Sequence, residues 1–128
     1  MPAGSTSTAS VIVVVRDPDL AASLEFALLA GGLDAVLFDA VQDLERLPLD
    51  IAMTLIVEAQ LLKPDPAAFV AGVRARPWDG LIILMTGDGE ALRTAFVRSQ
   101  RVAVLEMPFV GKDLIAAIRA VWPSAPAP

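Results

Sequence analysis

With neither cysteine nor histidine among its 128 residues, the chain must do any chemistry with carboxylates, hydroxyls and cations. Thiolate nucleophiles, disulfides, the usual zinc ligands and every histidine-based triad are excluded together. The polar groups worth weighing stand where apolar runs end. Glu58 closes T-L-I-V-E, Arg16 and Asp17 follow V-I-V-V-V, Thr86 closes L-I-I-L-M-T, and Met107 opens M-P-F after V-A-V-L-E. A lone buried carboxylate needs a partner for its charge, and a guanidinium suits it because the planar fork meets both oxygens at once. Arg16 is therefore expected to turn its side chain onto Glu58, Asp17 or both, the ordinary alternative being that it points into water. Thr86 has an ordinary alternative, capping the helix that follows it. Gly87 and Gly89 could cradle a phosphate, but Asp88 and Glu90 place negative charge at that same helix start and argue against an anion.

The elements that must carry these groups alternate. Short β-branched runs at Val11 to Val15, Asp34 to Phe38, Ala52 to Val57, Leu81 to Met85 and Val102 to Leu105 read as five strands. Helical segments separate them. Asp17-Pro18 opens the first and Gly31-Gly32 closes it, Val41 to Leu47 is a short second, and Pro66 to Arg76 a third. Asp88 to Ser99 and Gly111 to Trp122 complete the series. Five strand–helix alternations demand parallel strands joined by right-handed crossovers. The expected fold is α/β, a five-stranded doubly wound parallel sheet with helices on both faces. In such sheets ligands meet the carboxyl ends of the strands, where the residues singled out above stand.

Composition sets the outer bounds. A chain that is 55% hydrophobic and 20% charged has material for one ordinary core. Residues 1–10 and 123–128 are small, polar or proline-rich and read as flexible tails around a single domain at 11–122. A net charge of −5 disfavours nucleic acid and anionic membranes as partners. The apolar runs are short and the N-terminus lacks a charged flank before an apolar core, so neither a membrane span nor a signal peptide is expected. The expected location is cytoplasmic.

V-V-V-R-D-P at the first strand end, a fourth strand ending in Thr86-Gly87, and Met107-Pro108-Phe109 after the fifth resemble, in that order and spacing, a response-regulator receiver domain. The resemblance covers nearly all of Val11 to Trp122. It implies a CheY-like fold and a site built from two acids after the first strand, an aspartate ending the third, a Thr or Ser after the fourth, and Lys-Pro after the fifth. Those acids would hold Mg²⁺, while metal and lysine offset the charge of a transferred phosphoryl group. This chain departs from nearly all of it. Val15 and Arg16 stand where the acidic pair begins, with Asp17 the single acid there. Glu58 replaces the acceptor aspartate, Met107 replaces the lysine, and Val104 falls at the aromatic switch position. Only Thr86 is kept. One extra methylene displaces the Glu58 carboxylate beyond the tolerance of a near-attack geometry, and Met107 supplies neither charge nor hydrogen bond. Neither a metal nor another cofactor is expected.

A second feature is independent of the resemblance. On a helical wheel the first helix turns Leu20, Leu24, Ala27 and Leu28 to the sheet, yet Ala22, Phe26 and Leu29 on the far side are also apolar. Ile115 and Trp122 flank the inward face of the last helix. Together Ala22, Phe26, Leu29, Ile115 and Trp122 form a candidate interaction surface. Arg93, Thr94, Val97, Arg98 and Arg101 give the fourth helix and fifth strand a basic cast.

The function expected from these readings is that of a stand-alone pseudo-receiver in two-component-type signalling. It would bind another signalling protein, such as a histidine kinase, a regulator or an output protein, or pair with itself as a homodimer. It would not be an enzyme. Two alternatives stand beside it: a response regulator with residual phosphotransfer, and a flavodoxin-like small-cofactor binder. Against the last, Arg16-Asp17-Pro18 stands where a Ser/Thr-rich phosphate loop would be, and no G-x-G-x-x-G appears.

Overall fold

The computed structural model describes residues 10–39, 49, 52–62, 65–99 and 101–121. Among the described residues are five strands and four helices: β1 (Ser10–Val14), α1 (Pro18–Ala30), β2 (Asp34–Phe38), β3 (Thr54–Glu58), α2 (Pro66–Arg74), β4 (Leu81–Thr86), α3 (Gly89–Ala95), β5 (Val102–Glu106) and α4 (Gly111–Val121). A 3₁₀ turn, Ala59–Leu61, follows β3. All pairings are parallel, in the order β2-β1-β3-β4-β5. The doubly wound α/β sheet is as expected.

Burial on both faces explains why the central strands are continuous apolar runs. Successive side chains point to opposite sides, and the strands sort into two cores accordingly. Val11, Val13, Val15, Ile56, Ile83 and Met85 join Leu24 and Leu28 of α1 and Leu114 and Ile118 of α4. Ile12, Val14, Leu55, Val57, Ile82 and Leu84 face α2 and α3 through Phe69, Val70, Val73 and Phe96. Truncating any of the wholly buried leucines or isoleucines to alanine costs about 2–5 kcal/mol.

Helix starts follow the sequence closely because capping is local. Asp17, Asp65 and Asp88 each cap a helix, accepting the N–H of Asp19 (2.9 Å), Ala68 (2.8 Å) and Ala91 (3.4 Å). Two helix ends depart from expectation. α2 stops at Arg74 and α3 at Ala95, not at Arg76 and Ser99. In α3 the cause is Phe96, whose backbone leaves the helical region (φ −113°, ψ 19°) as its ring enters the core under α2 and α3. The expected helix at Val41 to Leu47, residues 1–9 and residues 122–128 lie outside the described residues.

The two helices on the β1 side are held close. A Cβ at Gly31 would stand 2.7 Å from Ile115 Cδ1, and one at Gly111 2.9 Å from Ala27 Cβ, so glycine is what lets α1 and α4 approach at both points. Arg119 of α4 donates to the Gly31 carbonyl at 3.0 Å, placing a cation at the negative end of α1. Among the described residues no helix is long and apolar enough to cross a membrane.

Candidate functional site

In the order β2-β1-β3-β4-β5 the winding of the sheet switches sides between β1 and β3, and the crevice at their carboxyl ends is where such folds bind ligands. Glu58 is the last residue of β3 and is only 4% exposed. Both of its oxygens are engaged: Oε1 accepts the backbone N–H of Arg16 and Oε2 accepts Gln60 Nε2, each at 3.1 Å. The second donor follows from spacing. Gln60 lies two residues on, in the 3₁₀ turn that folds back beside the strand end.

The expected ion pair is not formed. Arg16 is exposed, and among the described residues its guanidinium bridges neither Glu58 nor Asp17. Strand alternation gives the reason. Val15, 3% exposed, still points into the core shared by α1 and α4, the side on which Glu58 lies. Arg16, one residue further, sends its side chain away and leaves only its N–H facing the carboxylate. Asp17 is occupied as the cap of α1.

Thr86 ends β4 half-exposed, and its Oγ1 accepts the Asp88 N–H at 3.0 Å. The hydroxyl therefore shapes the turn, while Asp88 performs the capping expected of Thr86. Val104 packs half-buried against the α2/α3 core. Met107 is half-buried against the α1/α4 core, its N–H donating to the Thr86 carbonyl at 2.7 Å, and its peptide bond to Pro108 is cis.

These groups border a cleft of about 600 Å³ between α1, α4 and the strand ends, lined by Asp17, Leu20, Ser23, Glu58, Met107 and Phe109 among others. Among the described residues no lysine or arginine lines it. A second cavity of about 700 Å³ continues from it along α1 and α4, past Phe26, Gly31, Lys112 and Ile115. Ser23, Ala27 and Gly111 belong to both. Neither Ser23 nor Phe109 carries a sequence signal for such a role, because the cleft exists only once two helices distant in sequence lie side by side. Among the described residues no three acidic groups are placed to share a metal ion.

Of the candidate interaction surface, Phe26 and Leu29 are 77% and 56% exposed and Ala22 is exposed as well. Ile115 is half-buried on the floor between the helices, and Trp122 lies outside the described residues. The basic cast of the fourth-helix region is largely cancelled. Arg93 meets Glu106 at 3.7 Å and Arg101 meets Asp79 at 3.5 Å.

No family model matches the sequence, and no curated protein matches it. Solved structures do. A sensor protein from Polaromonas sp. JS666 is 22% identical with a TM-score of 0.75, over 91% of this chain and 98% of that one. A response regulator receiver protein from Pseudoalteromonas atlantica is 18% identical, TM-score 0.76, over 91% and 99%. The beryllofluoride-activated NtrC4 receiver domain dimer is 19% identical, TM-score 0.76, over 93% and 100%. The chain has the receiver fold. At these identities the likeness is one of architecture, and what the site does rests on its own residues.

Proposed function

We propose that this chain is a pseudo-receiver: a receiver-fold signalling domain that acts by binding another protein and does not use conventional phosphorylation. The observation carrying this reading is the state of Glu58. Its carboxylate is buried and its two oxygens are tied to Arg16 N–H and Gln60 Nε2. Attack on a phosphoryl donor requires a carboxylate oxygen oriented in line with the donor and a cation to offset the charge that develops. Met107 stands where the cation is needed, Val15 is core, and Asp17 caps a helix. The domain is accordingly no enzyme, and it operates in the cytoplasm.

A message not written on the acceptor must travel through a surface. The apolar outer side of α1, with Ala22, Phe26 and Leu29 beside Ile115 of α4, is the one that fits, either to another signalling protein or to a second copy of the chain.

The test has two arms. Incubation with acetyl phosphate and Mg²⁺, followed by intact-mass measurement, leaves the mass unchanged. A stable acyl phosphate on Glu58 would overturn the reading in favour of residual phosphotransfer. In light scattering Phe26→Asp dissociates a self-association present in the parent chain. A parent that is monomeric sends the search to a different partner protein, sought by co-purification with and without the substitution.

A further inference from the structure

The cleft that holds Glu58 is charged on one wall only. Glu58 and Asp17 stand at one end, no basic side chain among the described residues lines it, and Leu20, Leu24, Phe109 and Leu114 supply the remaining wall. We propose that this cleft binds a small organic cation, an ammonium or guanidinium head on an apolar body. The inference goes beyond the protein-docking proposal and does not depend on it.

Three observations converge on that class of ligand. The first is the buried carboxylate. Glu58 is 96% buried by difference from its 4% exposure, and only neutral N–H donors meet it. A carboxylate offers about four acceptor positions, so two donors leave capacity unused, and a buried negative charge is stabilised far more by a cation than by neutral dipoles. The second is the wall. With two acids, no base and low-dielectric surroundings, the potential in the cleft attracts cations and repels phosphates and carboxylates.

The third is the shape. About 600 Å³ is the size of an ordinary small-molecule site, and its lining is mainly apolar with a few convergent polar groups. A bare divalent ion would want six or more oxygens, and among the described residues no three acids are grouped to provide them. An organic cation needs fewer. Its head would meet Glu58 and Asp17 while the thioether of Met107 and the leucines cover its body. The continuation past Ala27 and Gly111 toward Ile115 and Phe26 gives a longer chain somewhere to lie.

Titration of the full chain with n-hexylammonium chloride, followed in ¹H–¹⁵N spectra, tests this. The Arg16 amide and the Gln60 side-chain amide report on the Glu58 end, and Ser23 and Ala27 on the shared neck. Hexylammonium is expected to shift all four, and to bind at least about tenfold more tightly than 1-hexanol, with hexanoate not binding. Glu58→Gln combined with Asp17→Asn, which keeps an amide cap on α1, is expected to lower hexylammonium affinity at least about tenfold and leave hexanol unchanged. Ser23→Trp, a change at an exposed position, fills the neck and abolishes binding in a chain whose spectrum remains folded. Equal affinity for hexanol and hexylammonium would sink the proposal, as would absence of shifts at millimolar amine. So would retained affinity in the charge-neutral double variant. The phosphodonor arm above reads acceptor chemistry alone, so each proposal fails or stands by its own measurement.

Discussion

The two ends of the sheet handle their polar groups in opposite ways. At the amino ends of β4 and β5, Arg74 stacks 5.7 Å from the Trp78 ring centroid and donates to the carbonyls of Trp78 (3.5 Å) and Arg101 (3.1 Å). Arg101, in the left-handed region at φ 55°, donates to the Asp79 carbonyl at 2.9 Å. Trp78 Nε1 reaches the Ala52 carbonyl at 2.9 Å. Burial lowers the Arg74 pKa, with Asp79 acting against the shift and Arg101 adding to it; arginine nonetheless keeps its charge. Positive groups there are met by carbonyls, a ring and an acid. At the carboxyl ends, Glu58 meets neutral donors only, beside an open cleft. One end is a latch that holds the chain together. The other retains unspent electrostatics and space, which is the condition for binding something.

That contrast predicts where truncation hurts. Trp78→Ala removes a half-buried ring, its hydrogen bond and the face under Arg74, and should lower the unfolding free energy by about 2–4 kcal/mol, read by urea titration with far-UV circular dichroism. A loss below about 1 kcal/mol would mean that the latch is ornamental.

Glu58→Ala strips the acceptors from two donors at the strand end and is expected to cost about 1–3 kcal/mol. Glu58→Gln keeps an acceptor and should cost less than the alanine change. If glutamine proves as damaging as alanine, the negative charge itself stabilises the fold and the two ends are less different than drawn. The smallest effect belongs to Asp79→Asn. Its side chain is 96% exposed and its pair with Arg101 is screened by water, so the change should stay within about 1 kcal/mol and respond little to added salt.

Legibility in the sequence varied with how local the cause was. β2 runs over Asp34–Phe38 as its pattern indicates, and Asp17-Pro18 opens α1 because a cap and a fixed φ act within one turn. α3 ends before Ser99 because Phe96 leaves the helix to fill a core made by α2 and β4. Glu58 was recognisable as the acid at the end of a buried strand. Its partner was expected to be the Arg16 guanidinium and is the Arg16 backbone N–H, a donor every residue but proline carries and sequence therefore does not mark.

By itself the sequence determined the alternation of strands and helices, the absence of thiol and imidazole chemistry, and which side chains stand at the strand ends. Those follow from composition and from periods of two and 3.6 residues, which are properties of neighbouring residues. Only the tertiary structure decided that the Arg16 backbone N–H meets the Glu58 carboxylate and that α1 and α4 close over an acidic, apolar-walled cleft. Each of these depends on contacts between segments distant along the chain, and such contacts are set by packing, which no local pattern encodes.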